Sequence, residues 1–410
     1  MVKKAITHLK LDAANRGKLQ KLSSVANEYM RVTQAYVDLL IKQEIKEPDK
    51  YASVPEKEVQ TPLSKRWQRC AWQQACGIVQ SWYSNECKNP PILKNICIQA
   101  NANVVQIEPS ITETFDYWLR ISTLEPGAPV RIPIQLYDRA KETLASFEKL
   151  CTGVTLSFRD GEWYVTFVVE RKTKKPEPKK VVGIDIGMVS IVSTSEGRHY
   201  GNISEKLRKR VEKSAQKRRR KQKLNACLIK KGKPKVSLSN NRTEAYAKNE
   251  IGRALNFMLS ELPQGTSVAF ERLSVKDMRF KSRQMNRALR ASQLGYVRDK
   301  LKFKLDERGS RYKSVQPAYS SQQCSKCGFT FKMNRSNQSE FYCLCCGNSA
   351  NADENAACVI AERFGDDELN KLPFREVETV LAIRFLRRHL VARSATAGPV
   401  RDAVQLWLPP

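Results

Sequence analysis

Apolar positions recur at Leu22, Val25, Tyr29, Thr33, Tyr36 and Leu40. That is the three-and-four spacing of one helix face, and it predicts a helix within residues 17–45. After the polar loop EPDKYASVP, the stretch PLSKRWQRCAWQQACGIVQSWYSNE predicts a second helix. From residue 94 the pattern becomes β-like. In TLSFRDGEWYVTFVVER, Asp160-Gly161 predicts a hairpin turn, and Trp163, Val165, Phe167 and Val169 share one face of the returning strand. Residues 94–170 are therefore expected to form a small antiparallel barrel or sheet, with residues 1–10 as a partner strand. The charged, proline-containing RKTKKPEPKK, 171–180, has no periodicity and reads as a linker.

VVGIDIGMVSIVSTSEGRHYGN reads as a buried strand, then a hairpin turning at Ser195 to Arg198, the start of a three-stranded meander. EKLRKRVEKSAQKRRRKQK predicts a strongly basic helix, and a further helix precedes a short strand in TSVAFERL. A basic helical region is expected from Lys276 to Arg308. FREVETVLAIRFLRRHLVAR predicts a last helix before a loose tail, and no internal repeat is apparent.

A length of 410 residues exceeds what one core usually organises, so two or three domains are expected. Apolar residues make up 41%, and no run approaches the roughly 18 that a membrane span needs. The start, MVKKAITHLKLD, turns polar too early for a signal peptide, which points to a soluble protein of the cytoplasm or nucleoid with no membrane partner. The formal charge of +30 changes the picture most. It far exceeds the magnitude of about 2 to 8 that solubility asks of a small domain, so a polyanionic partner is expected, nucleic acid first. The basic helix contains Arg218, Arg219 and Arg220, whose like charges repel unless a polyanion neutralises them. In the second helix, Arg66 and Arg69 interleave with Trp67, Trp72 and Trp82. Such interleaving suits a phosphate backbone and stacked bases, and equally well a helical core of tryptophans with the arginines in solvent.

Six cysteines (Cys70, Cys76, Cys87, Cys97, Cys151 and Cys227) have no partner spacing and are expected to be buried thiols. The rest crowd into residues 324–358. Cys324 and Cys327 are separated by two residues, fifteen residues follow, and Cys343 and Cys346 are again separated by two. This is four-thiolate zinc spacing, and four protein ligands leave no open position, so the zinc is expected to be structural. Cys345 offers another pairing, but Cys343 with Cys346 repeats the glycine-terminated spacing of Cys324-Cys327-Gly328.

Three acidic residues stand where backbone elements end. Asp185 closes a buried apolar run between glycines in VVGIDIG, where a metal or phosphate can approach. Glu271 follows Val268, Ala269 and Phe270 at another strand end. Asp353 falls in the first turn of a helix whose apolar face is Ala356, Ala357, Ile360, Ala361 and Phe364. Taken singly, these carboxylates suit an actin-like ATPase strand, a solvated strand edge and a helix cap. Taken in order within one α/β domain, they suit an RNase H-like nuclease, where converging carboxylates need cations to stay ionised.

In GIDIG, ERLSVKDM, PAYSSQQCSKCG and CCGNSANADENAA, in that order, the chain resembles the transposon-encoded TnpB nucleases and their relatives, the compact type V CRISPR effectors. The likeness covers roughly 181–364. It implies an α+β multidomain fold. A helical recognition region (11–93) and an antiparallel β-barrel wedge (1–10 with 94–170) would precede a RuvC-like, RNase H-like α/β nuclease domain (181–323 with 347–364). A zinc-binding insertion (324–346) would split the nuclease domain, and a basic helix and tail (365–410) would follow. It further implies Asp185, Glu271 and Asp353 as catalytic ligands of two Mg2+ ions, and Cys324, Cys327, Cys343 and Cys346 as zinc ligands. The implied partners are a guide RNA and a single- or double-stranded DNA target, with monomer and homodimer both open. The tyrosine-asparagine pattern usual near the start of TnpB proteins has no close counterpart here. His8, His199 and His389 are the only histidines, too few for a second, histidine-based nuclease domain. The rival readings are a guided DNA-binding protein or repressor that does not cut, and an RNA-independent nuclease or recombinase.

Overall fold

The computed structural model describes residues 1–86, 89–111, 114–173, 175–177, 180–202, 204–238, 242–272 and 281–392. They divide into two compact units, Met1–Lys172 and Thr173–Pro410. The boundary falls inside the stretch expected to be a linker. The end of that linker differs, because Arg171 closes one strand and Lys180 opens another.

The first unit is built from β1 (Val2–Lys10), α1 (Arg16–Lys42), α2 (Lys65–Ser84), β2 (Cys97–Ala100), β3 (Val105–Pro109), β4 (Tyr117–Ile121), β5 (Val130–Ile134), α3 (Asp138–Ala145), β6 (Lys149–Arg159) and β7 (Glu162–Arg171). Asn15 caps α1 by accepting from the Lys18 N–H, and the six residues read as one face are all buried. Ser64 caps α2 in the same way. Asp160 and Gly161 both adopt positive φ (51° and 83°), the geometry a two-residue hairpin turn requires, and β6 and β7 pair through Arg159 and Glu162. Residues 1–10 are the expected partner strand, antiparallel to β7.

The barrel expectation is corrected. The strands form two open sheets, β1-β7-β6-β2 and β3-β4-β5, and no closed barrel is seen among the described residues. The four-residue β2 ends at Ala100, and the chain turns away at once to begin the second sheet, so β2 is left as an edge. Helix α3 was not anticipated. Its single buried residue, Ala140, gives it almost no apolar period.

The buried-thiol expectation holds for Cys70 and Cys76 and fails elsewhere. Cys97 and Cys151 are half-buried, and Cys227 is exposed on a charged helix. Cys87 lies outside the described residues, as do 273–278 of ERLSVKDM, the first residues of the region expected from Lys276, and the tail.

The second unit contains β8 (Lys180–Asp185), β9 (Ser190–Thr194), β10 (His199–Asn202), α4 (Ser204–Lys230), α5 (Arg242–Glu261), β11 (Thr266–Glu271), α6 (Arg283–Ser292), α7 (Leu294–Arg308), β12 (Tyr312–Val315), β13 (Glu340–Tyr342), β14 (Ser349–Asn351), α8 (Ala352–Glu362), α9 (Asp367–Lys371) and α10 (Phe374–Ala392). The expected meander is present, and it leads into a five-stranded sheet of order β10-β9-β8-β11-β12. β8, β9 and β10 run antiparallel in sequence, whereas β11 pairs parallel with both β8 and β12.

Alternation gives this sheet two buried faces. Val182, Ile184, Val268 and Phe270 pack with Ile251, Leu255 and Met258 of α5 and Val297, Leu301 and Leu305 of α7. On the other face Ala269 and Val315 pack with Ile360 of α8. No helix among the described residues is long and apolar enough to cross a membrane.

Candidate active site

β8 and β11 run side by side in register, with Gly183 opposite Ala269 and Ile184 opposite Phe270. The next residues along the two strands are Asp185 and Glu271. Both chains leave the sheet there, so the two carboxyl groups rise from adjoining strand ends on the face that receives α8.

Gly183 determines how closely that helix approaches. A Cβ on Gly183 would stand 1.9 Å from the Ala357 carbonyl oxygen and 2.6 Å from the Ala361 nitrogen. The space around this glycine is thus taken by helix backbone, not kept for a metal or phosphate as the sequence suggested. Asp353 lies one turn before Ala357 on the same stripe of α8, as Asp185 lies two residues beyond Gly183 on the same face of β8. The glycine contact therefore delivers the third carboxylate toward the first.

Electrostatics record the result. The Asp185 carboxyl is pushed up from 3.8 to about 8, first by burial and then by the negative charges of Glu271 and Asp353, against the opposing pull of Arg335 and the Ile186 N–H. Burial also raises Glu271, opposed by a hydrogen bond from Ser320 and by the charges of Arg363 and Arg335. Ser320 Oγ donates to Glu271 Oε1. The buried Arg363 guanidinium donates to the carbonyls of Gln316 and Ala318 and to Gln323 Oε1. PAYSSQQC thus clasps the second carboxylate from behind, a role no spacing in the sequence could disclose. Asp353 Oδ1 accepts from Arg335 Nη2 at 3.2 Å, and that guanidinium also donates to the Gln338 carbonyl at 2.8 Å.

The four named cysteines converge more tightly: their sulfur atoms all lie within 4.8 Å of one another. Among the described residues no group of three or more carboxylates gathers to that degree. Two matching knuckles form the cluster. Gly328 N–H donates to the Cys324 carbonyl and Gly347 N–H to the Cys343 carbonyl, each at 2.9 Å, with both glycines at positive φ. Cys324 N–H and Cys343 N–H donate in turn to the carbonyls of Phe329 and Asn348, also at 2.9 Å. Four sulfur donors at this spacing can bind zinc and close its tetrahedral shell. Cys345 is outside the cluster, and Cys358 Sγ donates to the Ser195 carbonyl.

The cluster is joined to α8. Ala352 N–H donates to the Ser339 carbonyl at 2.9 Å, Asn355 Oδ1 accepts from Ser325 N–H at 3.0 Å, and Asn355 Nδ2 donates to the Gln323 carbonyl at 2.8 Å. Ala352 itself is buried with Cys324, Cys327, Phe329, Phe341 and Cys343. Asn351 caps the helix by accepting from the N–H groups of Asp353 and Glu354, so Asp353 is spared that task.

The remaining candidates fall into two groups. Arg66 is exposed, as are Arg218, Arg219 and Arg220 on α4. Trp72 does not offer a stacking face: it is 6% exposed, packs edge-on against Tyr36 at 5.5 Å between ring centroids, and donates Nε1–H to the Asp49 carbonyl. Arg69 is half-buried, and its guanidinium is bound to the Tyr51 and Ala52 carbonyls. An amphipathic helix needs a bulky core side, and here Trp67 and Trp72 supply it, while Trp82 is only half-buried.

Residues 295–360, which hold all four cysteines and Asp353, match the family model "Cas12f1-like, TNB domain". Over 223 residues the chain is 28% identical to the putative RNA-guided DNA endonuclease InsQ of Escherichia coli strain K12, covering 50% of this chain and 54% of that protein. Over 65 residues it is 43% identical to the CRISPR-associated endodeoxyribonuclease Cas12f1 of Sulfoacidibacillus thermotolerans, covering 16% of this chain and 15% of that one. The match thus spans about half the length of the first relative and a smaller part of the second. Among solved structures the chain is similar to a Cas12f1-sgRNA-target DNA complex, at 16% identity and a TM-score of 0.34 over 88% of this chain and 99% of the other. It is also similar to the mini-RNA-guided endonuclease CRISPR-Cas_phi3, at 12% identity and a TM-score of 0.47 over 88% and 92%. By sequence the chain is TnpB-like: it resembles the compact type V nucleases, most narrowly through its Cas12f1-like TNB region.

Proposed function

We propose that this chain is an RNA-guided DNA endonuclease that cuts with a single RuvC-like site made of Asp185, Glu271 and Asp353. The observation that carries the reading is the pairing of adjoining parallel strand ends with a helix docked on Gly183, so that each carboxylate alters the charge state of Asp185. The antiparallel meander continued by two parallel strands, with a helix crossing the central strands, supports an RNase H-like reading of this unit. A guide RNA is supported by the name of the first sequence relative, and a DNA substrate by the names of both.

The donor set is all oxygen, which suits hard divalent cations such as Mg2+. Two such ions, when bound, supply an activated water for in-line attack and charge stabilisation for the departing 3′ oxygen. The protein's own contribution is positional. Ser320 and Arg363 keep Glu271 oriented in a buried setting, and α8 presents Asp353 from its first turn. Arg335 supplies a positive charge beside Asp353 that offsets the repulsion among the three acids. Zinc at the cysteines takes no part in the reaction. The exposed arginines of α4 fit the grip on a phosphate backbone, where guide and target would pair.

The test uses protein purified with its bound RNA, together with a DNA matched to that RNA and Mg2+. Asp185→Ala is expected to abolish cleavage while RNA and DNA binding persist. Cleavage that survives this change would rule the site out, and matched DNA that is bound but never cut by the unaltered protein would favour a guided binder instead.

A further inference from the structure

Ser193, His199 and Glu354 form a chain of hydrogen bonds that none of the steps above employs. Asp185 pairs with Ser193 across β8 and β9, and Ser193 pairs with His199 across β9 and β10. The three residues thus stand in one row across the sheet, and cross-strand partners project from the same face. That face is the one α8 covers.

The imidazole links this row to the helix. His199 Nδ1 lies 2.9 Å from Ser193 Oγ, and His199 Nε2 lies 2.9 Å from Glu354 Oε1. An ionised carboxylate can only accept, so Nε2 carries a proton and Nδ1 faces the serine hydroxyl. Glu354 directly follows Asp353 in the first turn of α8. Below it lies the hairpin turn, where a Cβ on Gly197 would stand in ordinary contact, 3.7 Å from Glu354 Oε2, and where the positive φ of 75° is what favours glycine.

We propose that His199 and Glu354 are positioning residues that fix the first turn of α8, and with it the approach of Asp353 to Asp185. The contact of α8 with Gly183 is made a full turn later, at Ala357, and does not itself touch the first turn. The cysteine knuckles hold that turn through Ala352 and Asn355. The imidazole clasp holds it through Glu354. Both side chains are 34% exposed, so the pair contributes little to global stability. Its effect is on the placement of Asp353, where an error of about 1 Å can cost roughly a hundredfold in rate.

This inference rests on the nuclease reading for its consequence, and its test separates the two. The full chain with its copurified RNA is compared with His199→Ala, Glu354→Ala and Glu354→Gln. The readouts are Mn2+ binding by electron paramagnetic resonance, amide hydrogen exchange at residues 352–356, and single-turnover cleavage of matched DNA. His199→Ala and Glu354→Ala are expected to weaken Mn2+ binding about tenfold, speed exchange in the first turn, and slow cleavage by roughly ten- to a hundredfold. DNA affinity, zinc content and melting temperature are expected to stay close to those of the parent. Glu354→Gln keeps an oxygen that accepts from Nε2–H and is expected to retain Mn2+ binding within about threefold. The inference is overturned if His199→Ala binds Mn2+ as the parent does with unchanged exchange. It is equally overturned if Glu354→Gln falls as far as Glu354→Ala, since charge and not the clasp would then be at work. Asp185→Ala run alongside tests the nuclease reading alone: if that variant still cuts, the reading fails, and the Mn2+ and exchange data decide the clasp independently.

Discussion

Gly183 lies directly beneath the Ala357 carbonyl, so strand and helix touch backbone to backbone at a point where the central strand carries no side chain. A methyl group there would reach within 1.9 Å of that oxygen. Gly183→Ala is therefore expected to lift α8 and lower stability by about 1–3 kcal/mol, as overpacking does elsewhere. Cleavage should fall much further than stability, because Asp353 moves with the helix. Thermal denaturation and cleavage rates measured on one preparation check this; a variant that melts and cuts like the parent would show the helix is not seated by the glycine.

The Asp185 carboxyl stands at about 8 in the folded chain against 3.8 for an ordinary aspartate. An acid raised by folding keeps a proton that the unfolded chain has released, so without added divalent ions stability falls as pH rises from about 4 to about 8. Asp185→Asn removes this contribution. At pH 8, without added Mg2+, the variant is expected to melt above the parent; near pH 4 the gap should close. Mg2+ should raise the parent's melting temperature and leave the variant's nearly unchanged. A variant that melts below the parent at pH 8 would contradict the burial and repulsion assigned to this site.

Cys324→Ser removes one of four thiolates from a cluster that also buries the first residue of α8. Loss of bound zinc, a lower melting temperature and reduced cutting are expected together, since binding free energy at such a site is folding free energy. Metal content by mass spectrometry, read beside a melting curve, provides the check. A zinc-free variant that stays folded and fully active would refute the structural role.

Trp72 distinguishes a core from a contact surface. With the indole buried against Tyr36, Trp72→Ala is expected to cost about 3–5 kcal/mol of stability in the first unit. RNA binding measured well below the melting temperature should be nearly unchanged. A stable variant with selectively weakened RNA binding would reinstate the stacking role.

What could be read from the sequence was whatever local spacing encodes. The face of α1, the Asp160-Gly161 hairpin and the paired cysteines each follow from neighbours a few residues apart, and each is present. The strand-end positions of Asp185 and Glu271 and the helix-start position of Asp353 follow in the same way. Periodicity cannot tell whether a helix face that mixes arginine with tryptophan meets nucleic acid or the protein's own interior, and so Trp72 was open in both directions. Nor does it report contacts between distant segments. The hydroxyl of Ser320 on Glu271, the guanidinium of Arg335 on Asp353 and the imidazole of His199 on Glu354 join residues with no shared pattern. Gly183 was legible as a gap, but what fills that gap belongs to tertiary structure.

The spacing of the three carboxylates along the chain has a consequence for synthesis. Glu271 leaves the ribosome well after Asp185, and Asp353 trails Glu271 by roughly 4–16 s at the ~5–20 residues per second of translation. Arg218, Arg219 and Arg220 emerge between the first and second acids. A nascent chain thus displays its cationic helix while its carboxylate set is still incomplete. If the proposed nuclease reading holds, association with a polyanion can begin on a molecule whose carboxylate site is not yet assembled.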